Sequence, residues 1–367
     1  MRGGVTLILN CLRSGGAEKQ LLWIASEIAS TGRPCRIFEL VAGERTERIE
    51  AMVRDVSGRG VRVLRAPPDK GNLHGLWRFR KHLAEVKPDL IWSWGLRADV
   101  LCLLNRLSRV SGKWFISVRC AVVSPSRMSS WLQRLVARHS DGVISNTHAG
   151  LTIDGIERLP GLPLRVLPNA MWHDQAKEIT IPIAPPARLV LVMLGNIKIQ
   201  HKGYDLAAQL ARRLKDKAFP FELRIAGRPD EFAELEIIFR KLDVQSTIRF
   251  YGEVSHPEEF LREGHLFLLL SRFEGMPNTL LEALNVGLPA IATDVGDLRL
   301  LKEKGAPYEL IPIENVDAAV EAVERAVVQW STTRISAARG RRWVHENFSE
   351  EVCRTVLRNI LTELGKT

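Results

Sequence analysis

Short apolar runs, most of them rich in Val, Ile and Leu, alternate along this chain with stretches of helical periodicity. A strand buried on both faces reads as a continuous apolar run, and parallel strands need a helical crossover between them. The first series is VTLILN (5–10), CRIFEL (35–40), VRVL (61–64), LIWSW (90–94), WFISV (114–118) and GVISN (142–146). Between these runs lie helical patterns such as Leu73, Leu76, Trp77 and Leu83, or Leu101, Leu104 and Leu107. The repeat predicts a mainly parallel sheet with helices on both faces.

The segment 171–187 (MWHDQAKEITIPIAPPA) breaks the rhythm: it is Pro-rich, has no sustained period and reads as a linker. A second series follows, with RLVLVML (188–194), FELRIAG (221–227), TIRFYG (247–252), LFLLLS (266–271), PAIATD (289–294) and YELIP (308–312). The 367 residues are enough for two such domains. The expectation is an α/β chain of two doubly wound, Rossmann-like domains, at 1–170 and 188–345. Ligands in such sheets bind beyond the carboxyl ends of the strands.

Charge is uneven. Residues 1–170 hold 26 Lys+Arg against 14 Asp+Glu, so the first half carries the whole excess behind the net charge of +10. That predicts an anionic partner for the first half, or simply an Arg-rich solvated surface. Trp77 sits among Arg78, Arg80, Lys81 and His82, the last a cation only if protonated. This segment and 128–139 read equally as helices lying on an anionic membrane face or as ordinary amphipathic core helices. No nucleic-acid recognition motif accompanies the charge. No apolar run is long enough to span a bilayer, and the first residues read as a strand rather than a leader. The five cysteines are scattered without metal-ligand spacing, which predicts a reduced, cytoplasmic chain. Asp-x-Asp, a Walker loop and a G-x-S-x-G elbow are absent.

The most specific stretch is SRFEGMPNTLLEALNVGLPAIATDVGD (271–297). Glu274 falls in the loop after a strand. Pro277-Asn278 opens a helix with Asn278 as its predicted N-cap, and Gly287 is a natural stop. A helix N-terminus presents N–H groups and a positive dipole end, which suits a diphosphate. Glu274 is placed to accept from sugar hydroxyls and Glu282 from a ribose. The frame Glu-Gly-x-Pro-Asn-x-x-x-Glu-Ala resembles the signature of glycosyltransferase family 4. Two doubly wound domains joined by a linker likewise resemble the GT-B architecture. The resemblance implies a final helix, 346–367, packed back on the first domain. It also implies a metal-independent enzyme that retains anomeric configuration. Its first glutamate contacts the donor sugar and its second the nucleoside ribose, roles carried to Glu274 and Glu282.

Three further elements are similar to the family pattern. Gly15-Gly16, in RSGGAEKQL (13–21), open the first helix where backbone can approach a ligand closely. Lys202-Gly203, in LGNIKIQHKGYD (194–205), match a Lys-Gly pair whose lysine offsets charge on the leaving diphosphate. The arginine that accompanies that pair is replaced by Asn196, with Lys198 nearby. Asn169, in RVLPNAM, matches a Pro-Asn-Gly hinge with Ala170 for Gly. Arg119 stands where many members carry a histidine, and it suits a phosphate or an acceptor anion. Thr293, Asp294 and Gly296 read as shaping the same region. Donor contacts are thereby implied for Gly275, Met276, Asn278, Thr279, Leu280, Asn196, Gly15 and Gly16, with Glu274 and Lys202 catalytic.

The expected function is transfer of a hexosyl or N-acetylhexosaminyl group to a glycan or polyprenyl-linked acceptor in cell-envelope polysaccharide assembly. The donor is a nucleotide diphosphate-sugar, UDP-sugar before GDP-sugar, and a co-substrate rather than a cofactor. The expected location is cytoplasmic, with a peripheral position on the inner membrane face as one reading. The alternatives are a GT-B subunit of low or no activity, favoured by Asn196 and Arg119, and a nucleotide-sugar epimerase, which the paired glutamates disfavour.

Overall fold

The apolar runs fold into parallel strands. The computed structural model describes residues 3–13, 15–67, 72–106, 112–119, 127–172 and 182–366. The chain forms two units, one of residues 1–172 with 350–367, the other of residues 173–349.

In the first unit the elements run β1 (Val5–Leu9), α1 (Gly16–Ser30), β2 (Cys35–Glu39), α2 (Glu47–Gly58), β3 (Arg62–Leu64), α3 (Asn72–Val86) and β4 (Leu90–Trp94). Then come α4 (Leu96–Arg106), β5 (Lys113–Val118), α5 (Arg127–His139), β6 (Gly142–Ser145), α6 (His148–Leu151) and β7 (Leu164–Val166). The strands form one parallel sheet in the order β3-β2-β1-β4-β5-β6-β7. The order reverses between β1 and β4, where Leu7 lies beside both Ile37 and Trp92. That reversal is the switch point at which such sheets bind ligands.

β1 is buried along its whole length, as its unbroken apolar run requires. β7 was not predicted. It is a three-residue, half-buried edge strand between two prolines, too short to show a periodicity of its own. Other expectations needed correction. Trp77 and Leu104, counted in the apolar helical patterns, are exposed. His82 is buried, accepts or donates a bond at Thr6 Oγ1 (3.1 Å) and is pushed down to about 4 by burial and by Arg36 and Arg78, so it is no cation at neutral pH.

The second unit runs β8 (Leu189–Leu194), α7 (Ile199–Lys202), α8 (Tyr204–Asp216), β9 (Phe221–Ala226), α9 (Phe232–Lys241), β10 (Ile248–Phe250), α10 (Pro257–Arg262) and β11 (Leu266–Leu269). It continues through α11 (Asn278–Asn285), β12 (Ala290–Thr293), α12 (Leu298–Glu303), β13 (Glu309–Ile311), α13 (Val316–Val328), α14 (Trp330–Ala338) and α15 (Gly340–Phe348). Its sheet order, β10-β9-β8-β11-β12-β13, repeats the same reversal, here between β8 and β11.

The last helix, α16 (Glu350–Lys366), begins four residues later than the sequence suggested, because 346–348 complete α15. Cys353, Leu357, Ile360 and Leu361 recur at helical spacing and join the core of the first unit beside α1 and Trp172. Each such buried side chain contributes about 1.5–3 kcal/mol. Arg354 adds a two-pronged pair to buried Glu27 of α1, at 2.5 and 3.0 Å. Residues 171–187 are the predicted linker. Trp172 is instead 2% exposed within the first core, and 173–181 lie outside the described residues.

Candidate active site

In the second unit, the loops after β8 and β11 meet at the switch point. After β8 the chain passes Gly195 and half-buried Asn196, then folds into the short helix α7 that ends on Lys202. Gly203 follows with φ +68, and a Cβ there would lie 2.0 Å from the Leu270 carbonyl oxygen. Only glycine fits this left-handed bend pressed on the end of β11. The bend aims Lys202 at the β11 loop, where its Nζ pairs with Glu274 Oε1. Ser271 Oγ donates to the same carboxylate oxygen at 3.0 Å. The loop is tied down by Thr293, whose hydroxyl donates to Ser271 O at 2.6 Å.

Glu274 is 8% exposed, so this carboxylate is held by two donors in a largely dry position. Tyr204 closes the floor by donating to Gly195 O at 2.7 Å. Burial, then the Glu274 charge, push its phenol upward, so it remains a donor. His201 stacks on Phe273 with centroids 4.3 Å apart. Arg272 forks onto Asp205 at 2.9 and 2.8 Å, which fixes the loop to α8.

Buried Gly275 and Met276 lead from Glu274 into α11. The N-cap is Pro277 and Asn278 is the first helical residue, a correction by one position. Proline lacks an N–H and its φ of −73 suits the helix entry, whereas the sequence reading had assigned the cap to the better side-chain acceptor. Asn278 and Thr279 are half-buried in the first turn, Leu280 is buried beneath them and Glu282 lies half-exposed one turn on. The helix ends in a Schellman turn: Leu288 N donates to Ala283 O at 2.9 Å and Gly287 N to Leu284 O at 3.0 Å. The arrangement thus collects Lys202, Glu274 and the N-terminus of α11 at one switch point. Lys198 is exposed at the start of α7.

In the first unit, Gly15 caps α1 with extended backbone and Gly16 is its exposed first residue. Asn169 is buried; its Oδ1 accepts from Asn146 at 3.5 Å and its carbonyl from Cys353 Sγ at 3.8 Å. Gln20 clamps the neighbouring Ala170 through two bonds of 2.8 Å. The hinge-like motif is therefore held inside the first unit. Arg119 directly follows β5 and stacks its guanidinium 4.1 Å from the Trp94 ring centroid. It lines a pocket of about 350 Å³ at the carboxyl ends of β1, β4 and β5. Asp99 at the base accepts from Ser93 Oγ at 2.5 Å, and burial pushes its carboxyl up to about 7.

Sequence reasoning passed over Ser271, Tyr204, Trp94 and Asp99. Ser271 and Trp94 end runs that read only as buried strands. Asp99 follows Trp94 closely enough in the chain that a strand-end aromatic and a following acid were the available signal.

Two domain models match the chain in order: a glycosyl transferase 4-like domain over residues 15–170 and glycosyl transferases group 1 over residues 188–328. The chain is 24% identical over 233 residues to a lipopolysaccharide 1,6-galactosyltransferase of Salmonella typhimurium, covering 60% of this chain and 60% of that protein. It thus spans about three fifths of that relative's length. It is 21% identical to an amylovoran biosynthesis glycosyltransferase of Erwinia amylovora, covering 82% of this chain and 83% of that protein. The structure of Anabaena Alr3699/HepE in complex with UDP-glucose superposes with a TM-score of 0.78 at 16% identity, over 98% of this chain and all of that one. With both domain models matched in order over most of its length, and a doubly wound sheet in each, the chain belongs to the GT-B glycosyltransferases.

Proposed function

We propose that the protein transfers a hexosyl or N-acetylhexosaminyl group from a UDP-sugar to a glycan or polyprenyl-linked acceptor, with retention of anomeric configuration and without a metal. The observation that carries this reading is the Lys202–Glu274 pair beside the N-terminus of α11, at the switch point of the second sheet. A diphosphate at that N-terminus accepts from backbone N–H groups and gains from the dipole. Lys202 then turns toward the leaving phosphate and releases Glu274 to accept from sugar hydroxyls. Glu282 accepts from the ribose. Gly275, Met276, Thr279 and Leu280 shape the wall between them.

In the retaining path the acceptor oxygen attacks the anomeric carbon from the face that the phosphate leaves. The C–O bond to the phosphate breaks as the new one forms, and the acceptor proton passes to the departing phosphate oxygen. No protein base is then required. What the chain supplies is orientation and charge stabilisation. The UDP-glucose held by the Anabaena protein supports the choice of nucleotide, and the lipopolysaccharide and amylovoran relatives support an envelope acceptor.

The test is incubation with UDP-sugars and GDP-mannose in turn, with the anomeric proton of the product followed by NMR. Turnover of a UDP-sugar with retention is the expected result. Inversion overturns the same-face path. Turnover of none favours a binding subunit without activity, the reading that Asn196, half-buried where family members place an arginine, supports.

The membrane reading belongs to the first unit. Among the described residues no helix is long and apolar enough to cross a membrane. α3 and α5 bury Phe79, Leu83, Val136 and Ala137, yet leave Trp77, Met128 and Trp131 exposed beside Lys81, Arg134 and Arg138. An outward face of tryptophan and basic residues suits an anionic bilayer surface. Vesicles containing phosphatidylglycerol are expected to retain the wild type and to release Trp77→Ala/Trp131→Ala.

A further inference from the structure

The pocket of the first unit carries a pattern of unmet bonding that the proposed donor chemistry does not use. Four buried polar atoms around it have no hydrogen-bond partner among the described residues: Arg119 Nη1, Trp94 Nε1, Ser117 Oγ and Asn10 Oδ1. Buried polar groups are nearly always satisfied, so four orphans around one cavity need an explanation. Three of the four atoms are donors or can donate. Among the described residues, no carboxylate pairs with Arg119; the neighbouring acid, Asp99, spends a carboxylate oxygen on Ser93. Burial alone pushes the guanidinium down to about 9, which leaves it charged at neutral pH. A buried charge without a counter-ion is costly to keep.

The stacking on Trp94 holds the guanidinium plane in a fixed orientation, with Nη1 left to bond. Planar, fork-like donors of this kind suit carboxylate and phosphate oxygens. The volume, about 350 Å³, lies at the low end for small-ligand sites and suits one sugar ring or a compact phosphate-bearing group. Glu18 also lines the pocket, so an acidic group enters past one negative charge and must be drawn by specific bonds rather than by a general positive field.

We infer that this pocket selects an anionic acceptor, holding a carboxylate or phosphate of the acceptor between Arg119, Trp94 Nε1 and Ser117 Oγ while Asn10 Oδ1 receives a hydroxyl. The inference rests on the glycosyltransferase reading for the word acceptor, but the pocket's preference for an anion stands on its own geometry. Arg119 is then a specificity residue that fixes the acceptor.

The test uses the full chain with UDP saturating, so that anion binding on the donor side is already occupied. Methyl glucuronide, methyl glucoside and inorganic phosphate are titrated by thermal shift and calorimetry. Methyl glucuronide or phosphate is expected to raise the melting temperature, and methyl glucoside is not. A response to the glucuronide alone assigns the carboxylate of an acidic sugar; a response to phosphate alone assigns the phosphate of a lipid carrier. Arg119→Gln is expected to weaken the anion by roughly ten- to a hundredfold, the loss typical of a charged hydrogen bond, and to leave UDP binding unchanged. Trp94→Phe, which keeps an aromatic face under Arg119 but removes the pyrrole half of the indole with its N–H, is expected to weaken it by a smaller factor, and serves if Arg119→Gln fails to fold. The inference is overturned if neither anion stabilises the wild type, if methyl glucoside does so equally, or if both variants bind the anion as the wild type does. Failure of UDP itself to bind speaks instead against the donor assignment, and the anion titration without UDP then decides the pocket separately.

Discussion

Glu274 is held by Lys202 and by Ser271, and in the proposed reaction this fixed carboxylate meets the donor sugar. Glu274→Gln preserves the hydroxyl bond and removes the charge. It is expected to cost about a hundredfold or more in turnover, as the loss of a preorganised electrostatic contact does, while stability changes by only about 1–2 kcal/mol. Steady-state kinetics beside urea denaturation check the two together; an equal loss of both would mark the pair as structural. Asp99 makes a different kind of test. Its folded carboxyl titrates at about 7, above the ordinary range near 4. Between those values the folded chain holds a proton that the unfolded chain has released, so stability falls as pH rises through that window. Asp99→Asn lacks the proton linkage and keeps an acceptor for Ser93. Its urea midpoint relative to wild type is therefore expected to be more favourable at about pH 8 than at about pH 5.

Among the elements, α7 and the bend after it set the site. Gly203→Ala places a methyl group against the Leu270 carbonyl in a left-handed conformation. The expected loss is more than about 2 kcal/mol, with a lower melting temperature and a displaced Lys202. A variant as stable as the wild type would show that this bend relaxes freely. The strands flanking both switch points were legible from sequence because strands buried on both faces have little choice but to read as apolar runs. β7 was not, since a short edge strand carries no such imprint. Trp77 and Leu104 misled for the complementary reason: periodicity records apolar side chains but does not say which of them face solvent. The places of Glu274, Glu282 and Lys202 beside the β8 and β11 loops could be read because each frame is local in sequence; their pairing could not, since Lys202 and Glu274 lie 72 residues apart. The pocket around Arg119 was not, because Asn10, Trp94 and Ser117 come together only when β1, β4 and β5 pair.

At the scale of the whole molecule, one sheet order is used twice, and the two copies have diverged in chemistry. The second unit pairs a lysine and a glutamate at its switch point. The first carries the excess of basic residues and, one strand beyond its switch point, a guanidinium that pairs with no carboxylate among the described residues. In the proposed function the second unit holds a nucleotide diphosphate-sugar through Glu282, Lys202 and the start of α11. The most direct measurement is a thermal-shift titration of wild type and Glu282→Ala with UDP, GDP and ADP, each with and without EDTA. A ligand bound to the folded state raises the melting temperature by mass action. UDP is expected to stabilise the wild type most, with no effect of EDTA, and Glu282→Ala to need roughly tenfold more UDP for the same shift. Stabilisation by none of the three, or identical UDP curves for both proteins, would contradict a nucleotide site at Glu282.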